Sequence, residues 1–187
     1  QGAGTYVTRP SQVIESGLEV LESLETLAGR INLAMTVGDC WIALRQATST
    51  ESQILGIGSD SQVLSVTRVV LAEGHAAAYL TDILPEDIMS GDEMGANFKG
   101  SVLDILLQRA SPKLSSSRCE ITATTASTEV ARAMGIQRGD VLLLFTAYLY
   151  ASDGRVVDYS FSYFLPGYFN FHVVRRVAQY LHHEPPA

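Results

Sequence analysis

The sequence predicts an α+β fold, an antiparallel sheet with helices packed outside it, built on an internal pseudo-two-fold repeat. Three observations lead there. First, the middle of the 187-residue chain reads nearly the same way twice. The first copy has Ala47-Thr-Ser-Thr-Glu51, Leu55-Gly56-Ile57, Val63-Leu64-Ser65-Val66, a turn at Gly74, Ala78-Tyr79 and Leu84-Pro85. The second has Ala126-Ser-Thr-Glu129, Met134-Gly135-Ile136, Val141-Leu142-Leu143-Leu144, a turn at Gly154, Asp158-Tyr159 and Leu165-Pro166. The offset stays at roughly 78 to 80 residues, and two copies fall short of the three or so that a solenoid needs to bury a continuous core. They fit one pseudo-symmetric domain with a shared sheet and a pocket between its halves. Second, strand patterns dominate, and their close hairpin linkage favours antiparallel pairing. Third, the helical stretches fall between the strands and would cover one face of the sheet.

Taken in order, residues 1–10 are Gly-rich, then extended, then stopped by Pro10, as in a turn leading to a short strand or linker. From Ser16 the spacing Leu18, Leu21, Leu24, Leu27, Ala28 predicts an amphipathic helix over 16–29, with acidic residues favouring its start. Trp41–Ala47 reads as a strand, and Thr50-Glu51 begins a short helix that ends near Gly56. Strands at 63–71 and 76–84 flank a turn at 72–75. Gly100-Ser101 opens a helix over 101–110. A strand at 118–125 precedes a helix over 128–134, for which Ser127 resembles an N-cap. Strands at 141–150 and 155–164 form a long hairpin about Asp153-Gly154, and a last strand holds Phe169, Phe171 and Val173.

Composition narrows the function classes. With 47% hydrophobic and 18% charged residues the chain is of ordinary globular type. No apolar run reaches the ~18 residues of a membrane span, and no basic-then-apolar signal peptide opens it. A net charge of −7 argues against DNA binding by this chain itself, because phosphate contacts call for Lys and Arg. Cys40 and Cys119 lack partner spacing and are expected as free, buried thiols of a reducing cytoplasm. His182-His183 lie in a Pro-rich tail without the ligand cluster of a metal site. There is no nucleophile elbow and no phosphate loop or metal spacing, so neither a catalytic residue nor a cofactor is assigned.

The ordered set Gly4-Thr-Tyr-Val7, Leu55-Gly56-Ile57, Val63-Leu-Ser-Val-Thr-Arg68, Gly100-Ser101, Glu120-Ile121, Gly135-Ile136, Gly139-Asp-Val-Leu142, Asp153-Gly154-Arg155, Asp158-Tyr-Ser160 and Phe169-Asn-Phe171 resembles a known family. It is similar to the UTRA domain, the effector-binding domain of GntR-type transcription regulators of the HutC subfamily. The resemblance covers essentially the whole chain and implies a chorismate lyase-like fold. It implies that residues 1–10 are the remnant of a winged-helix wing and linker, and that 11–187 are the effector domain. The chain opens on Gln1 rather than Met, as expected if the preceding helix-turn-helix domain has been removed. The implied partners are a small-molecule effector, operator DNA through that N-terminal domain, and a second copy in a homodimer. A chorismate lyase-like enzyme acting on a small carboxylate is the competing class; fold alone does not settle function.

The residues point to a site. On the strand 155–164, Val157, Tyr159, Phe161 and Tyr163 fall on one face and Asp158, Ser160, Ser162 and Phe164 on the other. The polar face of a central strand either meets solvent or lines a ligand pocket, because unbonded buried polar groups are costly. The resemblance implies a carboxylate near the effector at Asp158. Arg68, the one charge in an apolar strand, is either a structural partner of Asp82 or Asp158 or a clamp for an anion. Ser101 opens a helix whose free N–H groups it either caps or shares with a ligand. Ser160, Ser162 and Tyr79 complete the candidate set. Phosphosugar-binding relatives tend to carry a second basic residue where this chain has Val70. An aromatic is usual where it has Leu103, and a charged turn where it has Tyr163-Phe-Leu-Pro-Gly-Tyr168. These departures point to an altered, less charged effector.

Overall fold

The computed structural model describes residues 12–95 and 98–175; Gly4-Thr-Tyr-Val7 and His182-His183 lie outside them. Six strands form one antiparallel sheet: β2 (Met35–Gln46), β3 (Gln62–Ala72), β4 (His75–Pro85), β5 (Leu114–Thr125), β6 (Val141–Ala151) and β7 (Val156–Phe164). Their order is β2-β3-β4-β7-β6-β5. β1 (Ile14–Gly17) and β8 (Phe169–His172) make a small parallel ribbon beside it. The helices are α1 (Leu24–Arg30), α2 (Ser49–Leu55), α3 (Gly91–Met94), α4 (Val102–Gln108) and α5 (Thr128–Met134).

The repeat in the sequence becomes two β-α-β-β units, β2-α2-β3-β4 and β5-α5-β6-β7, joined along β4 and β7. These equivalent strands lie antiparallel, Thr81 opposite Phe161, which is the arrangement a two-fold rotation produces. One offset carries Thr48 onto Ser127, the N-caps of α2 and α5. It also carries Gly56 onto Gly135, the C-caps, both in the left-handed region at φ 65° and 66°. Any side chain is strained there, so both short helices turn back at the same point. β3 and β4 are linked by Glu73-Gly74 with φ of 51° and 81°. Two positive φ values give the turn hand that suits a twisted hairpin.

Both faces of the sheet are covered, where helices on one face were expected. On one, Val130, Ala131 and Met134 of α5 pack on Val69, Tyr79 and Leu142. Leu55 of α2 packs on Val63, Ile83 and Tyr159. On the other, Leu27 and Ala28 of α1 with Ile14 of β1 pack on Val70, Ala78, Leu80, Phe145 and Phe164. Val102 and Leu106 of α4 pack on Leu64, Val66, Leu84, Leu149 and Val157.

Several expectations are corrected. The helix expected over 16–29 is only its second half. Ile14–Gly17 is drawn into strand by pairing with β8, and Ser23, accepting from the Thr26 amide, starts α1 late. β2 begins at Met35, bulged between Val37 and Cys40, and β5 begins at Leu114. Val157 does not alternate with Asp158: a register shift between Leu149 and Tyr150 turns it into the same-side cluster with Leu84 and Leu149. The cysteines are not buried thiols, because both sit on edge strands. Cys119 is exposed and Cys40 half-buried.

Candidate functional site

The face beneath α1 and α4 carries a polar belt between two apolar clusters. Along β3 the order is Val66, Arg68, Val70; along β4 it is Leu84, Asp82, Leu80. Along β7 it is Asp158, Ser160, Ser162, Phe164, and along β6 it is Leu149, Ala147, Phe145. Val66, Leu84 and Leu149 belong to the core under α4, and Val70, Leu80, Phe145 and Phe164 to the core under α1. The inner members line a cavity of about 680 Å³, with Ser101 and Glu25 on its roof. That size suits a small organic ligand. The belt exists because the strands interrupt their apolar faces at staggered heights, Arg68 opposite Leu80 and Asp82 opposite Val66 and Ser160, leaving floor that neither helix fills.

Arg68 is only 3% exposed. Its Nη2 donates to Asp82 Oδ2 at 2.9 Å and its Nη1 to the Gly100 carbonyl. Glu25 Oε1 of α1 lies 3.8 Å from Nη1, and the Phe98 ring centre lies 6.0 Å from the guanidinium carbon. The Arg68–Asp82 pairing is one of the two structural partnerships considered from the sequence. Asp158, 7% exposed, is not the partner.

Three buried polar side-chain atoms among the described residues have no hydrogen-bond partner: Arg68 Nε, Asp158 Oδ1 and Glu25 Oε1. All three residues line this cavity. Burial holds the Asp158 carboxyl well above the usual carboxylate range, and the neighbouring Asp82 charge pushes it further the same way. The Ile83 amide and Arg68 act against this. Burial also raises Asp82, but the bonded Arg68 opposes it. Asp82 takes the charge-assisted bond, so Asp158 is the member of the pair whose ionised form has less support from the protein.

Two short helices converge above the belt. Ser101 Oγ accepts from the Asp104 amide at 3.1 Å, capping α4. Asp104 Oδ2 in turn accepts from Ser23 Oγ at 2.8 Å, and Ser23 caps α1. The roof is thus tied together through its helix starts. For Ser101 the capping role is the one the geometry displays; at 7% exposure it also faces the cavity.

Five sequence candidates therefore meet in one cavity: Arg68, Ser101, Asp158, Ser160 and Ser162. Tyr79 does not. It points to the opposite face and donates from its hydroxyl to Glu129 Oε1 of α5 at 3.1 Å. Burial, and then the Glu129 charge, push it up to about 12. There it borders a second, shallower pocket of about 650 Å³ with Trp41 and Arg132. No unpartnered buried polar atom lies in that pocket, so the belt is the stronger site. Sequence reasoning missed Ser23, Glu25 and Asp104. The Ser-Leu-Glu-Thr run at Ser23 is a cap signal, but it was absorbed into one long helix.

Among the described residues no group of His, Cys, Asp and Glu has metal-binding geometry, and no helix is long and apolar enough to cross a membrane.

Known proteins share this architecture. The profile of the UTRA domain matches residues 39–170. The HTH-type transcriptional repressor NagR of Bacillus subtilis (strain 168) is 30% identical over 163 residues, covering 86% of this chain and 65% of that protein. The chain thus spans a little under two thirds of that relative's length. The crystal structure of PhnF from Mycobacterium smegmatis superposes with a TM-score of 0.78 at 17% identity, covering 89% of this chain and 73% of that one. The effector domain of PhnF gives 0.76 at 17% identity, covering 88% of this chain and all 100% of that one. At this identity the structural likeness is one of fold. The profile match runs from β2 to β8 and takes in both repeat units and the floor of the belt, and on that ground the chain belongs to the UTRA domain family.

Proposed function

We propose that this chain is the effector-sensing part of a cytoplasmic, DNA-binding transcription regulator of the GntR family, HutC subfamily. A small polar molecule enters the belt and is bound by Arg68, Ser101, Asp158, Ser160 and Ser162. The observation that carries the reading is the buried, unpartnered Asp158 oxygen in a roofed cavity, on a family scaffold whose relatives include the transcriptional repressor NagR. Those relatives favour a regulatory role over an enzymatic one. Tyr79, on the other face, drops out of the set.

The mechanism is a population shift. A ligand held between the sheet and the α1–α4 roof favours the arrangement in which the roof is closed. Its leverage equals its differential affinity for the two arrangements. In a homodimer this alters the relative placement of two N-terminal winged-helix domains, whose spacing must match two half-sites.

Operator binding by the regulator with its N-terminal domain in place tests this by fluorescence anisotropy. A compound that stabilises this chain should change operator affinity, and the binding should weaken steeply with salt. The 187-residue chain alone, with its net charge of −7, should not bind operator. Tight, salt-sensitive DNA binding by this chain alone, or stabilising ligands without effect on operator affinity, would defeat the proposal.

A further inference from the structure

The belt is unbalanced in charge. Its lining carries the carboxylates of Glu19, Glu22, Glu25, Asp82 and Asp158 against the single guanidinium of Arg68. Glu22 is bonded to Arg30, and Glu19 accepts from the Val174 amide. Asp82 is held by Arg68. Asp158 remains without an ion pair, and Glu25 has only the 3.8 Å contact of Oε1 with Arg68; each has a buried oxygen that receives no hydrogen bond. Arg68 already spends one N–H of Nη1 on the Gly100 carbonyl and one of Nη2 on Asp82, and its Nε finds no acceptor within the protein.

We propose that the ligand of this belt is a small primary amine in its protonated form, with Asp158 as its counter-ion and an apolar body against Phe145 and Phe171. The inference rests on the effector reading above and narrows it to a ligand class. An anion would find the Arg68 Nε but would add negative charge to a lining that already sets five carboxyl groups against one guanidinium. A neutral polyol would supply donors but no positive charge to favour the ionised form of a carboxyl that is nine-tenths buried. An ammonium supplies both, donating two of its three N–H groups to Asp158 and Glu25 and the third to the Ser160 or the Ser162 hydroxyl. Beyond the polar strip the cavity wall is aromatic. Phe145, Phe164 and Phe171 pack with ring centres 4.4 to 4.9 Å apart, and all three line the cavity. Such rings accept an apolar body and, at close range, favour a cation.

The test uses the 187-residue chain with skeletons matched in shape and differing in charge: 2-phenylethylamine, 2-phenylethanol and 3-phenylpropanoate, with glucose 6-phosphate as a sugar anion. Thermal shift and titration calorimetry should show stabilisation by the amine and not by the others. Asp158→Asn should stay folded by circular dichroism and bind the amine about 30-fold or more weakly, as expected when one partner of a buried charged bond is removed. Glu25→Gln, on the less buried side of the roof, is the second variant and should weaken the amine in the same direction. Amine binding that survives both substitutions would overturn the assignment to the belt. Stabilisation by the carboxylate, the alcohol or the phosphate in place of the amine would overturn the ligand class while leaving an effector site standing. Stabilisation by none of the four would count against the amine and against the belt as a sensor.

Discussion

Arg68 on β3 is bonded to Asp82 on the adjacent β4, Nη2 to Oδ2 at 2.9 Å, and not to Asp158. This one pairing divides the belt into a structural half and a receptive half. The guanidinium and Asp82 neutralise one another inside the sheet face. Asp158 on β7, beyond β4, keeps an oxygen free.

The structural half predicts a stability cost. Arg68→Met leaves Asp82 buried and unpaired and should destabilise the fold by about 3–5 kcal/mol in urea unfolding. Arg68→Met combined with Asp82→Leu should recover most of that loss. A single variant of unchanged stability would show that the pair is not a structural tie.

The receptive half predicts the opposite sign. The Asp158 carboxyl is held above its ordinary value of 3.8. At lower pH it is neutral both folded and unfolded. As pH rises the unfolded chain ionises first, so the folded state loses stability until its own higher pKa is passed. Asp158→Asn does not carry that loss. It should melt a few degrees above the parent at neutral pH and match it near pH 3.5. A variant less stable than the parent at neutral pH would mean that Asp158 is a structural partner after all.

A second carboxylate behaves conventionally. Glu51 in α2 accepts from Arg45 at 2.6 and 2.7 Å and from the Thr48 amide at 2.8 Å. The Arg45 bonds chiefly hold it down at about 2. Its contribution is present above its ordinary value of 4.5 and is lost as pH falls toward about 2. Glu51→Gln should cost about 1–2 kcal/mol at pH 7, given that Arg45 is partly solvated, with the deficit shrinking toward pH 2. Acid titrations of parent and variant that stay parallel through that range would contradict this.

The cavity can also be tested by volume alone. Ala147 is the small floor residue between Phe145 and Leu149. Ala147→Met should fill empty space rather than strain a packed core, changing stability by less than about 1.5 kcal/mol, yet abolish the thermal shift given by any ligand of the belt. Undiminished ligand binding would place the site elsewhere.

Much of this was legible in the sequence because it is local. The repeated segments, with Ser127 as an N-cap and Gly56 and Gly135 at one offset, made both units and their short helices legible; the cap at Thr48, which starts α2 at Ser49 rather than Thr50, is seen in the structure. The polar face of β7 was legible from alternation at Ser160 and Ser162. What was not legible depended on contacts between distant segments. Ile14–Gly17 is strand only because β8 lies beside it. Val157 left its expected face because β6 and β7 shift register. Tyr79 stood among the sequence candidates, but strand parity turns it toward α5. Glu25 reaches the belt only through the roof, whose helix starts are tied by Ser23 and Asp104.

The central claim is that small molecules bind the belt and nowhere else on this sheet. Backbone amide shift mapping of the 20.2 kDa chain by NMR, titrated with a stabilising compound, tests it most directly. The largest perturbations should fall at Leu80, Asp82, Asp158, Ser160 and Ser162, and at Ser23 and Ser101 above them. Perturbations centred instead on Trp41, Tyr79 and Arg132, on the opposite face, would contradict the account.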